Sequence, residues 1–276
     1  MWGMTPEQRY RFDVTGYLHL ENVLSEEELS AAQDAVKQCV DTPADELPAG
    51  INSSYPGTNE SVAGISNGFS FHKSLEALTV HPKTWPIIKE FTENKPRFDR
   101  GTLAVNTHQT TRMTPLHCAR EDFGWPSTRY ECRDGRIFCD TFVVFVYLSD
   151  VFPGDGGLIA LPGSHKTTFD RPANYFFPDP HTSNSELHPA VVNITPRAGD
   201  VVIISELLTH GALVWQPTDR ERWFLILRYN PQYFYYRHGV SDEVLPRLSP
   251  EVRELIEFAS FTHTKEIAKQ DVITLS

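Results

Sequence analysis

The chain has 276 residues, of which 40% are hydrophobic and 22% are charged, and its formal net charge at pH 7 is -11. This length and hydrophobic content suffice for one large core, so we expect a single domain over residues 1–276. The acidic balance disfavours a nucleic-acid or anionic-membrane surface, because either would need a basic stripe.

The cysteine pattern and the N-terminus bear on where the protein works. The four cysteines form no CxxC pair, and the first residues lack an apolar signal core. The apolar run from Phe142 to Leu148 is too short to span a bilayer. We therefore expect a cytoplasmic protein with reduced thiols and with no nucleic-acid or membrane partner; the sequence gives no signal for its oligomeric state.

The first 97 residues predict mostly helical support. Thr5 can cap a helix of about ten residues, which a short strand over 17–20 follows. Ser25 begins a capping signature before a second apolar helical stripe that ends near Val40. Residues 41–71 show no sustained period and predict a long loop that covers a site.

A third helix is expected within residues 73–94, although Pro82 and Pro86 interrupt its beginning. Another short helix is expected from Ser249 to Phe258, inside a C-terminal extension over 231–276.

Short strands separated by turn residues dominate residues 98–230, the expected β-helix core. Eight strands would suit a jelly roll. The run over 141–148 is apolar on both faces, which predicts a central strand with a layer on each side. The predicted strands cover 100–109, 114–119, 138–149, 157–162, 190–195, 200–206, 211–215 and 222–230.

Two histidines and a missing carboxylate form the main candidate site. A carboxylate two places after a histidine on a strand points to the same side. With a distant second histidine it builds the three-ligand face of non-haem iron oxygenases. Here His117 and His210 are in place, but the carboxylate position holds Ala119. His210 follows a turn and a buried run over 198–205, which should fix it at a strand end.

Arg222 begins an alternating strand in which Phe224, Ile226 and Arg228 share its face. If that face lines the barrel, Arg222 can bind a carboxylate bidentately at its mouth. A lone histidine or arginine on a strand is more often structural. The ordered set of His117, His210 and Arg222 on a β-rich chain is a stronger signal.

The chain resembles the phytanoyl-CoA dioxygenase-like (PhyH) family, whose members depend on Fe(II) and 2-oxoglutarate. The resembling segments are Gly16-Tyr17-Leu18, Val23 to Leu29, Gly156 to Lys166 with its Pro-Gly-Ser-His-Lys loop, Ala198-Gly199-Asp200-Val201, His210-Gly211 and Asp219-Arg220-Glu221-Arg222.

The resemblance implies a mainly β fold with flanking helices, a double-stranded β-helix of the jelly-roll, cupin-like type. It also implies iron on His117 and His210, 2-oxoglutarate on Arg222 with help from Thr114, and O2 as co-substrate. Arg220 is the alternative arginine. The substrate would be a small molecule, free or carrier-bound. The histidine of the Pro-Gly-Ser-His-Lys loop, His165, is structural in that family.

Ala119 admits three interpretations. In the first, a turn after Cys118 brings Glu121 or Asp122 to the metal; without it, four extended residues span roughly 13 Å, too far for a common ion. In the second, iron keeps two protein ligands and chloride fills the vacancy, as in non-haem iron halogenases, which carry alanine or glycine here. In the third, the protein is a non-catalytic relative or an altered form of an enzyme with Asp at this position.

Retention of both histidines and Arg222 argues for a working enzyme. The expected function is activation of an aliphatic C–H bond of a small molecule through a ferryl intermediate, with halogenation or hydroxylation as the outcome. The alternative from another class is a metal-binding cupin-like protein without redox turnover.

Overall fold

Two antiparallel sheets make up most of the structure, a computed structural model that describes residues 3–53, 63–108, 114–123, 128–169, 171–172, 187–234 and 239–256. The larger sheet has the strand order β1-β11-β8-β13-β4-β3-β2. Its strands are β1 (Tyr17–Leu20), β2 (Asn52–Ser53), β3 (Ala63–Ser66), β4 (Pro96–Asn106), β8 (Phe142–Tyr147), β11 (Val201–Ser205) and β13 (Arg222–Pro231).

The smaller sheet has the order β10-β9-β12-β5. Its strands are β5 (Thr114–His117), β9 (Gly157–Ala160), β10 (Val192–Asn193) and β12 (His210–Leu213). A separate hairpin pairs β6 (Tyr130–Arg133) with β7 (Arg136–Cys139). Two facing antiparallel sheets with helices outside form the double-stranded β-helix that the family resemblance implies.

Two of the described helices begin where capping signals in the sequence place them. The described helices are α1 (Pro6–Thr15), α2 (Glu26–Asp41), α3 (Lys73–Ala77), α4 (Trp85–Phe91), α5 (Ala119–Phe123) and α6 (Pro250–Ile256). Thr5 and Ser25 each close a complete capping box, which satisfies backbone N–H groups that a helix start leaves open. Both predicted N-terminal helices are therefore confirmed.

Strand β8 separates two apolar layers, as its continuous hydrophobic run predicts. Val143, Phe145 and Tyr147 pack between the two sheets. Val144 and Val146 pack in the outer core, which also contains Phe12, Ala32, Val36 and Phe91 of α1, α2 and α4. The helical layer thus buries the back of the larger sheet and leaves the space between the sheets for a site.

Some details differ from the sequence predictions. The segment 41–71 is not entirely loop, because β2 and β3 lie in it and β3 pairs with β4; strands this short have no readable period and form through tertiary pairing. The predicted third helix is two short helices, α3 and α4. The hairpin of β6 and β7 was missed, although Asp134-Gly135 at its turn is a strong hairpin signal.

No helix within the described ranges is long and apolar enough to cross a membrane. All four cysteines are free thiols, as predicted. The C-terminal helix is described to residue 256, so the end predicted at Phe258 lies outside the described residues.

Candidate active site

His117 and His210 face each other between β5 and β12. The two residues are direct register partners in the antiparallel pair, and their ring centroids are 4.4 Å apart. Directly opposed residues on neighbouring strands point to the same face. Two histidines 93 positions apart in number are therefore brought to one point by strand register alone.

Each of the two imidazoles forms a hydrogen bond to a backbone carbonyl oxygen through its Nδ1 atom. His117 Nδ1 lies 2.8 Å from the Pro115 carbonyl oxygen, and His210 Nδ1 lies 2.7 Å from the Leu208 carbonyl oxygen. A carbonyl can only accept, so each Nδ1 must donate, which leaves the lone pair on Nε2. Metal-binding histidines are commonly oriented in this way.

Burial also keeps His210 neutral. The residue is 8% exposed, and this burial, with the nearby His117, lowers the pKa of His210 to about 3. A neutral imidazole is the form that coordinates a cation. The two imidazoles are thus suited to bind a divalent transition-metal ion, for which imidazole nitrogen is a preferred ligand.

Arg222 lies in the same cavity, 3% exposed, at the start of β13. Its Nε and Nη2 donate to Asn106 Oδ1 at 3.0 and 2.6 Å, and its guanidinium lies 4.6 Å from the Phe224 ring centroid. Asn106 is its register partner on β4. Within the described residues, no carboxylate pairs with Arg222.

A buried guanidinium without a carboxylate calls for an anion, because an unpaired charge in a low-dielectric site is costly. Gly157 leaves room for the guanidinium, because a Cβ at this position would lie 2.2 Å from Arg222 Nη1. The φ of Gly157 is +83°, in the left-handed region that favours glycine. The edge of Arg222 that does not face Asn106 therefore suits a carboxylate.

The cavity has a volume of about 180 Å³ and lies between the two sheets. Thr114 lines it together with both histidines and Arg222. Arg220 does not line it. Its Nη2 pairs with Asp155 at 2.5 Å, its Nη1 lies 3.4 Å from Asp219, and it covers the ring of Phe152.

Ala119 lies where the chain leaves the strand. The predicted strand over 114–119 was too long: β5 ends at His117 and α5 begins at Ala119. The buried Ala119 donates its N–H to the Glu206 carbonyl oxygen at 2.7 Å. The turn that the first interpretation of Ala119 requires is thus present.

Glu121, the first acidic residue after that turn, does not join the histidines. Glu121 forms a two-point ion pair with Arg171, at 3.1 and 3.0 Å. Asp122 belongs to α5, and its side chain lies outside the described residues. Across the ranges that the structure describes, no group of three or more His, Cys, Asp or Glu side chains is arranged to hold a metal.

Sequence reasoning missed three residues around the cavity. Asn106 holds Arg222 and ends β4 directly after the apolar run over 103–105, a position where a polar residue is a usable signal. Gly157 follows another glycine, and only the structure reveals the close guanidinium. Glu206, four residues before His210, pairs with Arg228 at 2.8 Å, and no local pattern indicates it.

His165 occupies a different place. Its ring lies 4.6 Å from that of Tyr130 and 6.4 Å from that of Phe12, beside α1. Burial lowers the pKa of His165 to about 4. The histidine of the Pro-Gly-Ser-His-Lys loop is a packed residue rather than part of the histidine pair, in line with its expected structural role.

Solved structures share this architecture. HygX from Streptomyces hygroscopicus, crystallised with nickel and 2-oxoglutarate, is 23% identical with a TM-score of 0.66, over 84% of this chain and 88% of that chain. The non-haem α-ketoglutarate-dependent carbocyclase SnoK from nogalamycin biosynthesis is 24% identical with a TM-score of 0.63, over 90% and 92%. EctD from S. alaskensis, with 2-oxoglutarate and 5-hydroxyectoine, is 18% identical with a TM-score of 0.60, over 83% and 77%.

At these identities the likeness shows the fold. No curated protein sequence matches the chain significantly. The model of the phytanoyl-CoA dioxygenase (PhyH) family matches residues 12–214, which include both histidines and end before Arg222. The chain therefore belongs to the phytanoyl-CoA dioxygenase (PhyH) family of iron- and 2-oxoglutarate-dependent enzymes.

Proposed function

We propose that this protein uses Fe(II) and 2-oxoglutarate to activate an aliphatic C–H bond of a small molecule, with His117 and His210 as the protein ligands of the metal. The observation that supports this proposal most is the shared cavity. In it lie two histidines whose Nε2 atoms are left to bind a metal, and a buried arginine that has no carboxylate partner among the described residues. Neither a structural core nor a simple binding module needs that combination.

The residues divide the work by position. His117 and His210 present their Nε2 atoms to the metal, and their backbone acceptors prevent ring rotation. Arg222 receives the distal carboxylate of 2-oxoglutarate, Asn106 orients the guanidinium, and Thr114 borders the same space. Bound iron, with 2-oxoglutarate and O2, supplies the oxidising power for C–H cleavage.

The group delivered to the substrate depends on the position beside Ala119. We propose that a halide takes the place of the absent carboxylate, so that the reaction is halogenation. Ala119 adds no charge, its N–H is already donated to Glu206, and Glu121 is held by Arg171. A small monovalent anion matches a vacancy next to a divalent cation in both size and charge.

Hydroxylation is the second candidate, and one observation favours it. Helix α5 supplies the turn that would carry Asp122 back toward the metal. With Asp122 as the third ligand the site would be a three-residue iron face without a halide.

Succinate release tests the enzyme proposal. With Fe(II), 2-oxoglutarate and O2, the wild-type protein should convert 2-oxoglutarate to succinate, and His210→Ala and Arg222→Met should lose this turnover. Arg220→Met is the matched control, an arginine two positions away that is paired outside the cavity, and it should retain the turnover. Loss in Arg220→Met with retention in Arg222→Met would reverse the arginine assignment. No succinate from any form would favour the non-catalytic metal-binding alternative.

Chloride titration tests the halide proposal. The visible charge-transfer absorption of the anaerobic Fe(II) and 2-oxoglutarate complex should respond to chloride in a saturable way. Asp122→Ala should keep that response. A spectrum that ignores chloride, combined with loss of iron binding in Asp122→Ala, would establish the hydroxylase arrangement instead.

A further inference from the structure

A second arginine faces the cavity of the histidine pair. Arg228 lines it on the same strand face as Arg222, six residues further along β13. Successive same-face residues are about 6.6 Å apart, so the two Cα atoms are roughly 20 Å apart. The cavity therefore has one arginine towards each end.

The two arginines are held differently. Arg222 is almost completely buried and donates through Nε and Nη2 to a neutral amide. Arg228 is 33% exposed in its side chain and donates through Nε to Glu206 Oε1 at 2.8 Å. The single contact at Nε orients the guanidinium plane and leaves the edge formed by Nη1 and Nη2 without a protein acceptor in the described residues.

A third arginine lies beside this end of the cavity. Arg100 lies directly opposite Arg228 on β4, and its Nε bonds Asp99 at 2.7 Å. Like charges directly opposite each other across a strand pair are destabilising. Asp99 and Glu206 each offset one of these two arginines through its Nε, and neither carboxylate occupies the Nη edge of Arg228.

The wall between the two arginines is apolar. Phe145, Leu158 and Ile226 line it, close to the histidine pair. A ligand whose charged end reaches Arg228 would thus lay a hydrocarbon segment along this wall. Aliphatic C–H bonds would then lie beside the metal position, while water is displaced from the apolar surface.

We propose that Arg228, oriented by Glu206, anchors the carboxylate of the substrate, which is a small carboxylic acid with an aliphatic chain. This inference rests on the proposed function, because it assigns Arg222 to 2-oxoglutarate and leaves Arg228 for the second carboxylate. Two nitrogen donors on one guanidinium edge match two carboxylate oxygens in a bidentate pair.

The test uses full-length protein saturated with Ni(II) and 2-oxoglutarate, with butanoate as the probe and butanamide as its neutral analogue. Calorimetric titration should show butanoate binding at least about 10-fold tighter than butanamide, because only the carboxylate can form the charge-assisted pair. Arg228→Met should abolish the preference. Arg197→Met, a matched change at an exposed arginine outside the cavity, should keep it.

Two further variants separate binding from folding. Arg228→Lys retains a cation beside Glu206 and should keep part of the preference, because one ammonium cannot form the two-point pair. Glu206→Gln keeps an oxygen acceptor for Arg228 Nε and removes the competing negative charge, so butanoate should bind about 2- to 5-fold tighter. The Glu206→Gln variant decides between the two roles, because a purely structural ion pair predicts no gain in butanoate binding when Glu206 is neutralised.

The position of the probe is measured with 4,4,4-trifluorobutanoate. Its fluorine resonance should broaden with Co(II)-loaded wild-type protein, relative to Zn(II)-loaded protein, and this broadening should be absent in Arg228→Met. Equal binding of butanoate and butanamide to the wild type, or a preference that persists in Arg228→Met, would overturn the inference while leaving the proposed function intact. Failure of 2-oxoglutarate itself to bind the Ni(II) protein would overturn both.

Discussion

The two ends of the cavity are built from different kinds of structure. At the Arg222 end, adjacent strands place each partner: Arg222 and Asn106 are register partners, and the backbone of Gly157 packs against the guanidinium. At the opposite end, Ala119, Glu206 and Arg228 meet where β5 and β11 give way to a helix and a loop. Sheet register therefore fixes the proposed cofactor end, whereas chain segments that leave the sheet shape the end that would determine the reaction.

Arg222→Met should have the largest effect at the Arg222 end of the cavity. Removing a buried guanidinium that pairs with a ligand carboxylate should weaken 2-oxoglutarate binding by about 100-fold or more. Calorimetry on the Ni(II) protein measures it. Metal affinity should change little, because Arg222 contacts neither histidine in the described structure. An equal loss in Arg220→Met would show that the effect is not specific to the cavity.

Ala119→Asp should alter the Ala119 end of the cavity and leave the Arg222 end unchanged. An aspartate at the start of α5 adds a negative charge at the vacancy, so it should abolish the chloride response of the anaerobic spectrum and shift any product from halogenation toward hydroxylation. Binding of 2-oxoglutarate should persist. If chloride still perturbs the Ala119→Asp spectrum as it does the wild type, position 119 does not border the halide.

Gly157→Ala gives a smaller and more local effect on the cofactor end. The new Cβ would overlap Arg222 Nη1 and push the guanidinium away. The affinity for 2-oxoglutarate should fall about 10-fold, because a misplaced guanidinium loses its bidentate geometry. Gly135→Ala is a matched control with φ of +71° and no heavy atom within 4 Å of the new Cβ. It should cost about 1 kcal/mol in stability and leave 2-oxoglutarate affinity unchanged.

Substitution of His165 should have the smallest effect of these changes. It is a control for a buried histidine that lies away from His117 and His210. The folded pKa of His165 is about 4, below the ordinary value of 6.5. The unfolded chain therefore binds a proton first as the pH falls, so the stability of metal-free protein should decrease between pH 6.5 and about 4. His165→Asn should remove about 1 to 3 kcal/mol of that decrease.

Nickel affinity should not change in His165→Asn, because His165 packs beside α1 rather than beside His117. Thermal unfolding across this pH range, with a nickel titration of the variant, measures both effects. A lower nickel affinity in this variant would show that His165 influences the site of His117 and His210 despite its distant position.

The sequence predicts the sheet-based end well. Alternation in β13 and the spacing of His210 indicate which side chains share a face, and the apolar run of β8 predicts its central place. Capping boxes at Thr5 and Ser25 are local signals and mark two helices correctly. These features depend on periodicities of the chain, which can be read without the fold.

The opposite end could not be predicted in this way. The expected strand over 114–119 ends two residues early, because Ala119 N–H finds an acceptor in Glu206, 87 positions away in number. The pairing of Glu206 with Arg228 is equally non-local. Strands β2 and β3 were missed for the same reason, since their stability depends on neighbouring strands rather than on their own pattern.

A crystal structure of the protein with Fe(II), 2-oxoglutarate and bromide, grown without oxygen, tests the proposed metal site most directly. We expect iron bound by His117 and His210, 2-oxoglutarate with its distal carboxylate on Arg222, and an anomalous bromine peak at bonding distance from iron beside Ala119. A carboxylate oxygen of Asp122 or Glu121 on the iron, with no bromine in the site, would contradict the proposed halide site.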